Sequence, residues 1–251
     1  YLERLIAWRD KRVIKIITGI RRCGKSTLME IFQDYLRGQG VKEEQIIAIN
    51  FENYDFRELR EPETLHAYVV GHAVPEKMTY VFLDEVQHVS GWQEVVDSFH
   101  IKKNLDIYIT GSNAYLLSGE IATLLSGRYV EIKMLPLSFR EYAEATEMTG
   151  NLAKCYLDYL ENSSFPYALE LKDQPRELHD YLEGIYNTVV VKDLMTRRKI
   201  SDVMMLESVA RFVFDNIGNP LSTKKIADTM TSSGRKMDVK TVEKYVDALK
   251  E

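Results

Sequence analysis

Between Val13 and Arg37 the chain passes from a β-branched run, VIKIIT, through a loop framed by two glycines into a helical pattern. The loop, Gly19–Ser26 (GIRRCGKS), fits G-x-x-x-x-G-K-[ST] at every position. Its glycines let the backbone wrap so that successive N–H groups face phosphate oxygens. The helix opening near Lys25 adds unpaired N–H groups and the positive end of its dipole. Lys25 is placed to bridge the β- and γ-phosphates of a nucleoside triphosphate, Ser26 to ligate Mg²⁺ and Thr27 to donate to the α-phosphate. Arg21 and Arg22 lie inside the loop, where they neutralise phosphate, meet a neighbouring subunit or remain solvated. Cys23 counts for its backbone, unless the nearby helix terminus lowers its thiol pKa. The expected binding set is Gly19, Arg21, Arg22, Cys23, Gly24, Lys25, Ser26 and Thr27, with Ser26 also a metal ligand.

The rest of the first half alternates strand and helix signals. Ile46–Phe51, Tyr80–Asp84, Asp106–Thr110 and Arg128–Met134 read as further strands, with helical stretches between the earlier ones. This pattern predicts an α/β fold, a parallel sheet with helices on both faces. The third strand ends in Asp84 and Glu85, at the edge where open α/β sheets bind ligands. Asp84 is the expected Mg²⁺ ligand, partly through water, and Glu85 the general base. Their bland reading is a pair of carboxylates capping the next helix. Thr110, Ser112 and Asn113 are candidates to contact the γ-phosphate, Asn113 equally a helix N-cap. Asn50 and Glu52 either restrain Glu85 or end a solvated strand. Arg128 either supplies positive charge to the transferring phosphoryl group, in cis or in trans, or forms a structural salt bridge. The catalytic candidates are Glu85, Lys25, Arg128 and Asn113.

These segments resemble an AAA+-like family of bacterial and archaeal P-loop ATPases. GIRRCGKST at Gly19–Thr27, DEVQ at Asp84–Gln87 with Gly91 and Trp92, TGS at Thr110–Ser112, Gly127–Arg128 and PLSFRE at Pro136–Glu141 carry the resemblance, which runs across nearly the whole chain. It implies an ATPase core over 1–150, a helical lid over 151–205 and a winged-helix or helix-turn-helix segment over 206–251. It also implies ATP rather than GTP, and a C-terminal DUF4143-type region of unknown function, most of which this chain does not reach. The expected activity is Mg²⁺-dependent hydrolysis of ATP to ADP and phosphate, coupled to a C-terminal effector. The alternative is a slow nucleotide-gated switch or a DNA-binding regulator.

After Pro136 the signals are helical. Ser222–Met230 and Val239–Leu249 place Ile226, Ala227, Met230, Val242, Tyr245, Val246 and Leu249 at core spacing. Lys224, Lys225, Arg235, Lys236, Lys240 and Lys244 offer DNA phosphates a basic surface through Ser222–Lys250, diluted by Asp228, Asp238, Glu243 and Asp247. A packing or protein-interaction role uses the same helices. The net charge of −5 argues against a uniformly basic coat. The five histidines are scattered without zinc-ligand spacing. Two cysteines are too few for a disulfide framework, which points to a reduced, cytoplasmic setting. No apolar run reaches the roughly 18–20 residues of a membrane span. Lacking an initial methionine and ending within a helical pattern, the chain reads as part of a longer polypeptide, and oligomerisation stays open.

Overall fold

All six residues of strand β1, Ile14–Gly19, and all six of β3, Thr79–Asp84, are buried. A strand is apolar on both faces only when both are covered, and here helices cover both. The computed structural model of the protein describes residues 1–112, 125, 127–189, 200 and 202–249. With β2 (Ile46–Asn50), β4 (Leu105–Ser112) and β5 (Tyr129–Met134) these strands form a five-stranded sheet in the order β2-β3-β4-β1-β5. Every strand pair is parallel. The expected α/β architecture is the observed one.

Side-chain alternation sorts the core into two layers. On one face Ile14, Ile16, Ile49, Leu83 and Ile109 pack with residues of helices α3 (Pro62–His72) and α4 (Trp92–Ile101), among them Leu65, Val69, Val96 and Phe99. On the other, Ile17, Phe82 and Tyr108 pack with α1 (Leu2–Trp8) and α2 (Lys25–Gly38) through Leu5, Phe32 and Leu36. The sheet thus fixes the loop between β1 and α2 at the C-terminal ends of the strands.

Helix α5 (Phe139–Ala145) begins with a capping box, Ser138 with Glu141. Helix α6 (Leu152–Asn162) packs on it around Tyr142 and Cys155. Leu137 N donates to Ser164 O at 2.8 Å, bringing the short 3-10 helix Pro166–Leu171 back toward the end of β5.

The chain forms two compact units, Tyr1–Leu178 and His179–Glu251, with the boundary inside helix α7 (Pro175–Tyr186) and inside the stretch 151–205. The second unit holds α8 (Val203–Asp215), α9 (Thr223–Ser232) and α10 (Val239–Leu249) around Leu206, Val209, Ile226, Met230, Val242 and Tyr245. Among its described residues the regular structure is helical, so the wing of a winged helix is not among them.

Candidate nucleotide-binding site

The loop after β1 is tight where glycine is required. A Cβ on Gly19 would sit 2.4 Å from Met134 O and 2.8 Å from Cys23 Sγ, so any side chain there displaces backbone. Gly24 has φ 99° and caps α2, a left-handed position that glycine occupies without cost. No side chain caps α2, and Leu28 N is bonded to Gly24 O at 2.9 Å. The N–H groups of the first turn are therefore available to an anion. Met134 Cε and Pro166 Cγ back the loop, 3.3 and 3.7 Å from where a Gly24 Cβ would lie.

Lys25 is buried at the base of this loop and donates to Gly19 O at 3.2 Å and Ile20 O at 3.4 Å. Its Nζ lies 3.8 Å from Glu85 Oε1. The carboxylates at the end of β3 thus stand beside the glycine loop, on the same edge of the sheet. Asp84 and Glu85 are both buried, and Glu85 has φ 55° and ψ 50°. The Thr110 hydroxyl, on β4, donates to Asp84 Oδ1 and accepts from Glu85 N at 3.0 Å. Asn50 Nδ2, at the end of β2, donates to Asp84 Oδ2 at 3.0 Å. Three adjacent strands therefore supply one polar cluster.

Residues 11–143 match the family model of an AAA domain, more than half of the chain. The chain belongs to the AAA domain family. Membership makes it, at the coarse level, an ATP-binding P-loop ATPase. Residues 153–251, over which the resemblance implied a lid and a winged-helix segment, match a domain of unknown function, DUF8612, and not the DUF4143-type region that the resemblance implied mostly beyond this chain. An uncharacterized protein of Haemophilus influenzae is 39% identical over 254 residues, covering 99% of this chain and 63% of that protein. An uncharacterized protein of Methanocaldococcus jannaschii is 26% identical, covering 93% of this chain and 54% of that one. The chain thus spans between about half and two thirds of these relatives. Among solved structures, the Aeropyrum pernix ORC2 protein, determined in ADPNP–ADP complexes, aligns with a TM-score of 0.59 at 13% identity, covering 100% of this chain and 82% of that one. At that identity the likeness is one of fold.

The AAA domain gathers Gly19, Cys23, Gly24, Lys25, Asp84 and Glu85 around one edge, with Ser26 half-buried and Thr27 exposed in the first turn of α2. Arg21 Nη1 lies 3.6 Å from Glu52 Oε1, so Glu52 meets a loop arginine rather than Glu85. Arg22 is exposed with φ 63°. Asn50 restrains Asp84, not Glu85. The thiol of Cys23 is not activated: burial pushes its pKa up, outweighing the nearby Lys25 ammonium. Asn113 and Ser126 lie outside the described residues.

Arg128 requires a correction. Parallel register pairs Tyr129 with Ile14 and Met134 with Gly19, so Arg128 flanks the start of β1 while the loop follows its end. At about 3.3 Å per residue, some 16 Å of strand separate them. Arg128 instead pairs with Asp97 of α4 at 2.7 Å, the structural salt bridge. It cannot reach its own nucleotide loop.

Sequence reasoning assigned no role to Gln87, whose Nε2 donates to Glu85 Oε2. The signal was present in DEVQ, but only the left-handed backbone at Glu85 turns the amide back. Elsewhere, His179, Asp180 and Glu183 bring ligand atoms within 4.8 Å of one another, but all three are exposed. Among the described residues no helix is long and apolar enough to cross a membrane.

Proposed function

We propose that the chain hydrolyses ATP to ADP and phosphate, with the loop and Lys25 holding the triphosphate and Glu85 taking a proton from the attacking water. The observation that carries this reading is the 3.8 Å approach of the buried Lys25 Nζ to Glu85 Oε1. It sets the cation suited to the β- and γ-phosphates beside the carboxylate suited to the water. Ser26 and Asp84 fit Mg²⁺: both offer oxygen ligands, and Asp84 is held in one orientation by Asn50 and Thr110. Bound with the nucleotide, Mg²⁺ supplies neutralising charge at the phosphate oxygens.

The chain's own residues do the remaining work. The first-turn N–H groups of α2 and the loop amides orient the phosphates. Lys25 exchanges its carbonyl acceptors, Gly19 O and Ile20 O, for phosphate oxygens. Glu85, held through its backbone N–H by Thr110, accepts the water proton. A cation from Arg128 enters only from a second copy of the chain. Residues 151–205 act as the lid in this reading.

Phosphate release and ATP affinity test it together. Glu85→Gln should keep ATP binding within about twofold and lose turnover by about 100-fold or more. Lys25→Ala should abolish binding. If wild type and Glu85→Gln release phosphate equally slowly, the chain is a nucleotide-gated switch instead.

A second role, contact with DNA, is supported by the α9–α10 pair. Lys224, Lys225, Lys236, Lys240 and Lys244 are all exposed there. Arg235 is half-buried and donates to Met204 O at 3.1 Å, and its guanidinium adds a further positive charge beside them. Duplex binding that weakens with salt, and weakens further in Lys240→Glu/Lys244→Glu, is the expected result; binding unchanged by the double substitution excludes this pair as the reader.

A further inference from the structure

Gln87 stands two residues after Glu85, in the single turn Val86–His88 that the left-handed Glu85 backbone initiates. The turn brings its amide onto the Glu85 carboxylate, with Nε2 donating to Oε2. An ionised carboxylate only accepts hydrogen bonds, so chemistry dictates that the amide nitrogen faces it and the amide oxygen faces away. That oxygen, Gln87 Oε1, is buried and has no hydrogen-bond partner among the described residues. Buried amide oxygens are rarely left so. Gln87 as a whole is only partly buried, although its amide oxygen is buried. The carboxylate it holds is gripped from the other side too, by Lys25 at Glu85 Oε1. An unsatisfied acceptor therefore sits next to a fixed base, at the end of β3 beside the phosphate loop. A water molecule has the two donors that would satisfy both.

We propose that Gln87 orients the hydrolytic water: Nε2 holds the Glu85 carboxylate in one rotamer, and Oε1 accepts a hydrogen bond from the water that Glu85 deprotonates. The proposal rests on the reading of Glu85 as the base. In the step, one water proton passes to the Glu85 carboxylate while the water oxygen forms its bond to the γ-phosphorus. The bond from that phosphorus to the β–γ bridging oxygen breaks, and its electron pair leaves with ADP. Gln87 gains and loses no proton; it fixes a direction for the lone pair that attacks. Its contribution therefore falls on turnover and not on nucleotide affinity.

Gln87→Met separates this role from packing, because methionine keeps the length and bulk of the side chain and removes both polar atoms. In the full chain it should lower kcat by about 100- to 1,000-fold, the range for one oriented polar contact in a reacting site. The Kd for ATP should stay within about twofold and the Tm within a few degrees. Gln87→Glu keeps an acceptor but opposes one carboxylate to another; it should be no faster than Gln87→Met. Glu85→Gln is the control. If Glu85→Gln loses turnover and Gln87→Met does not, the water-orienting role is wrong while Glu85 stands as the base. If Glu85→Gln turns over like wild type, the base assignment falls, and this proposal with it. If Gln87→Met loses ATP affinity or Tm in step with kcat, Gln87 only supports the turn, and the proposal is overturned.

Discussion

One hydroxyl touches both acidic residues at the end of β3, Asp84 through its carboxylate and Glu85 through its backbone N–H. Thr110 Oγ1 donates to Asp84 Oδ1 and accepts from Glu85 N, and Thr110 is fully buried on β4. It therefore couples the side chain of the metal-ligand candidate to the backbone of the base candidate, whose φ of 55° needs holding. Thr110→Val keeps the shape and removes the hydroxyl. It leaves Glu85 N without this acceptor and Asp84 with one donor fewer, at about 1–3 kcal/mol for each unsatisfied buried group. Urea unfolding should show a loss of about 2–4 kcal/mol, and ATP turnover should fall as well. Thr110→Ser, which keeps the hydroxyl, should restore most of both. A valine variant with full stability and turnover would mean that the hydroxyl is incidental.

At the scale of strands and helices, the two ends of the sheet do different work. The C-terminal ends carry the polar cluster of the site. Toward the N-terminal ends lies a buried ion pair, Lys15 with Asp106. Lys15 also donates to Lys11 O at 2.7 Å, and Asp106 Oδ2 accepts from Asp10 N at 2.9 Å and from the Tyr108 hydroxyl at 2.8 Å. Burial lowers the Lys15 pKa and raises that of Asp106, each partly offset by the other's charge. The network ties the turn after α1 to β1 and β4. Lys15→Met strands a buried carboxylate and should cost about 3–5 kcal/mol. Lys15→Met/Asp106→Asn, with a neutral acceptor, should recover at least about 1 kcal/mol of this in urea unfolding. ATP affinity should not change, because Lys15 is four residues of strand from Gly19, about 13 Å. A Kd that moves with the stability would contradict this division of the sheet. The same register explains what could be read in advance. The glycine loop, Asp84 and Glu85 were legible because each depends on residue type at a fixed place after a strand. Arg128 was not, because its end of the sheet follows from which strand β5 joins and in which direction. Gln87 was not, because its contact depends on a single backbone angle at Glu85. The partner of Asn50 was legible only as a carboxylate, since β2–β3 register pairs it with Asp84 rather than Glu85.

For the molecule as a whole, each unit has a hydrophobic cluster of its own among the described residues. Among the described residues, those in the two faces of the sheet and in the α5–α6 cluster all precede Leu178. Among the described residues, those in the cluster around Leu206 begin at Ile200. A core confined to one unit stabilises that unit, and cooperativity between units needs shared buried surface. The candidate nucleotide-site residues described above, Gly19–Thr27, Asp84 and Glu85, belong to the first unit. Leu206 is fully buried in the second, so Leu206→Ala should remove about 2–5 kcal/mol from that unit's stability. Calorimetry should show one transition moving down while another stays within a few degrees, and the Kd for ATP should hold within about twofold. The contrary result, a single transition that shifts as a whole with ATP affinity falling by about tenfold, would mean that folding couples the units. Phosphate release distinguishes a further case: if turnover falls in Leu206→Ala at unchanged Kd, the second unit acts on the chemistry through its fold, as an effector coupled to hydrolysis must.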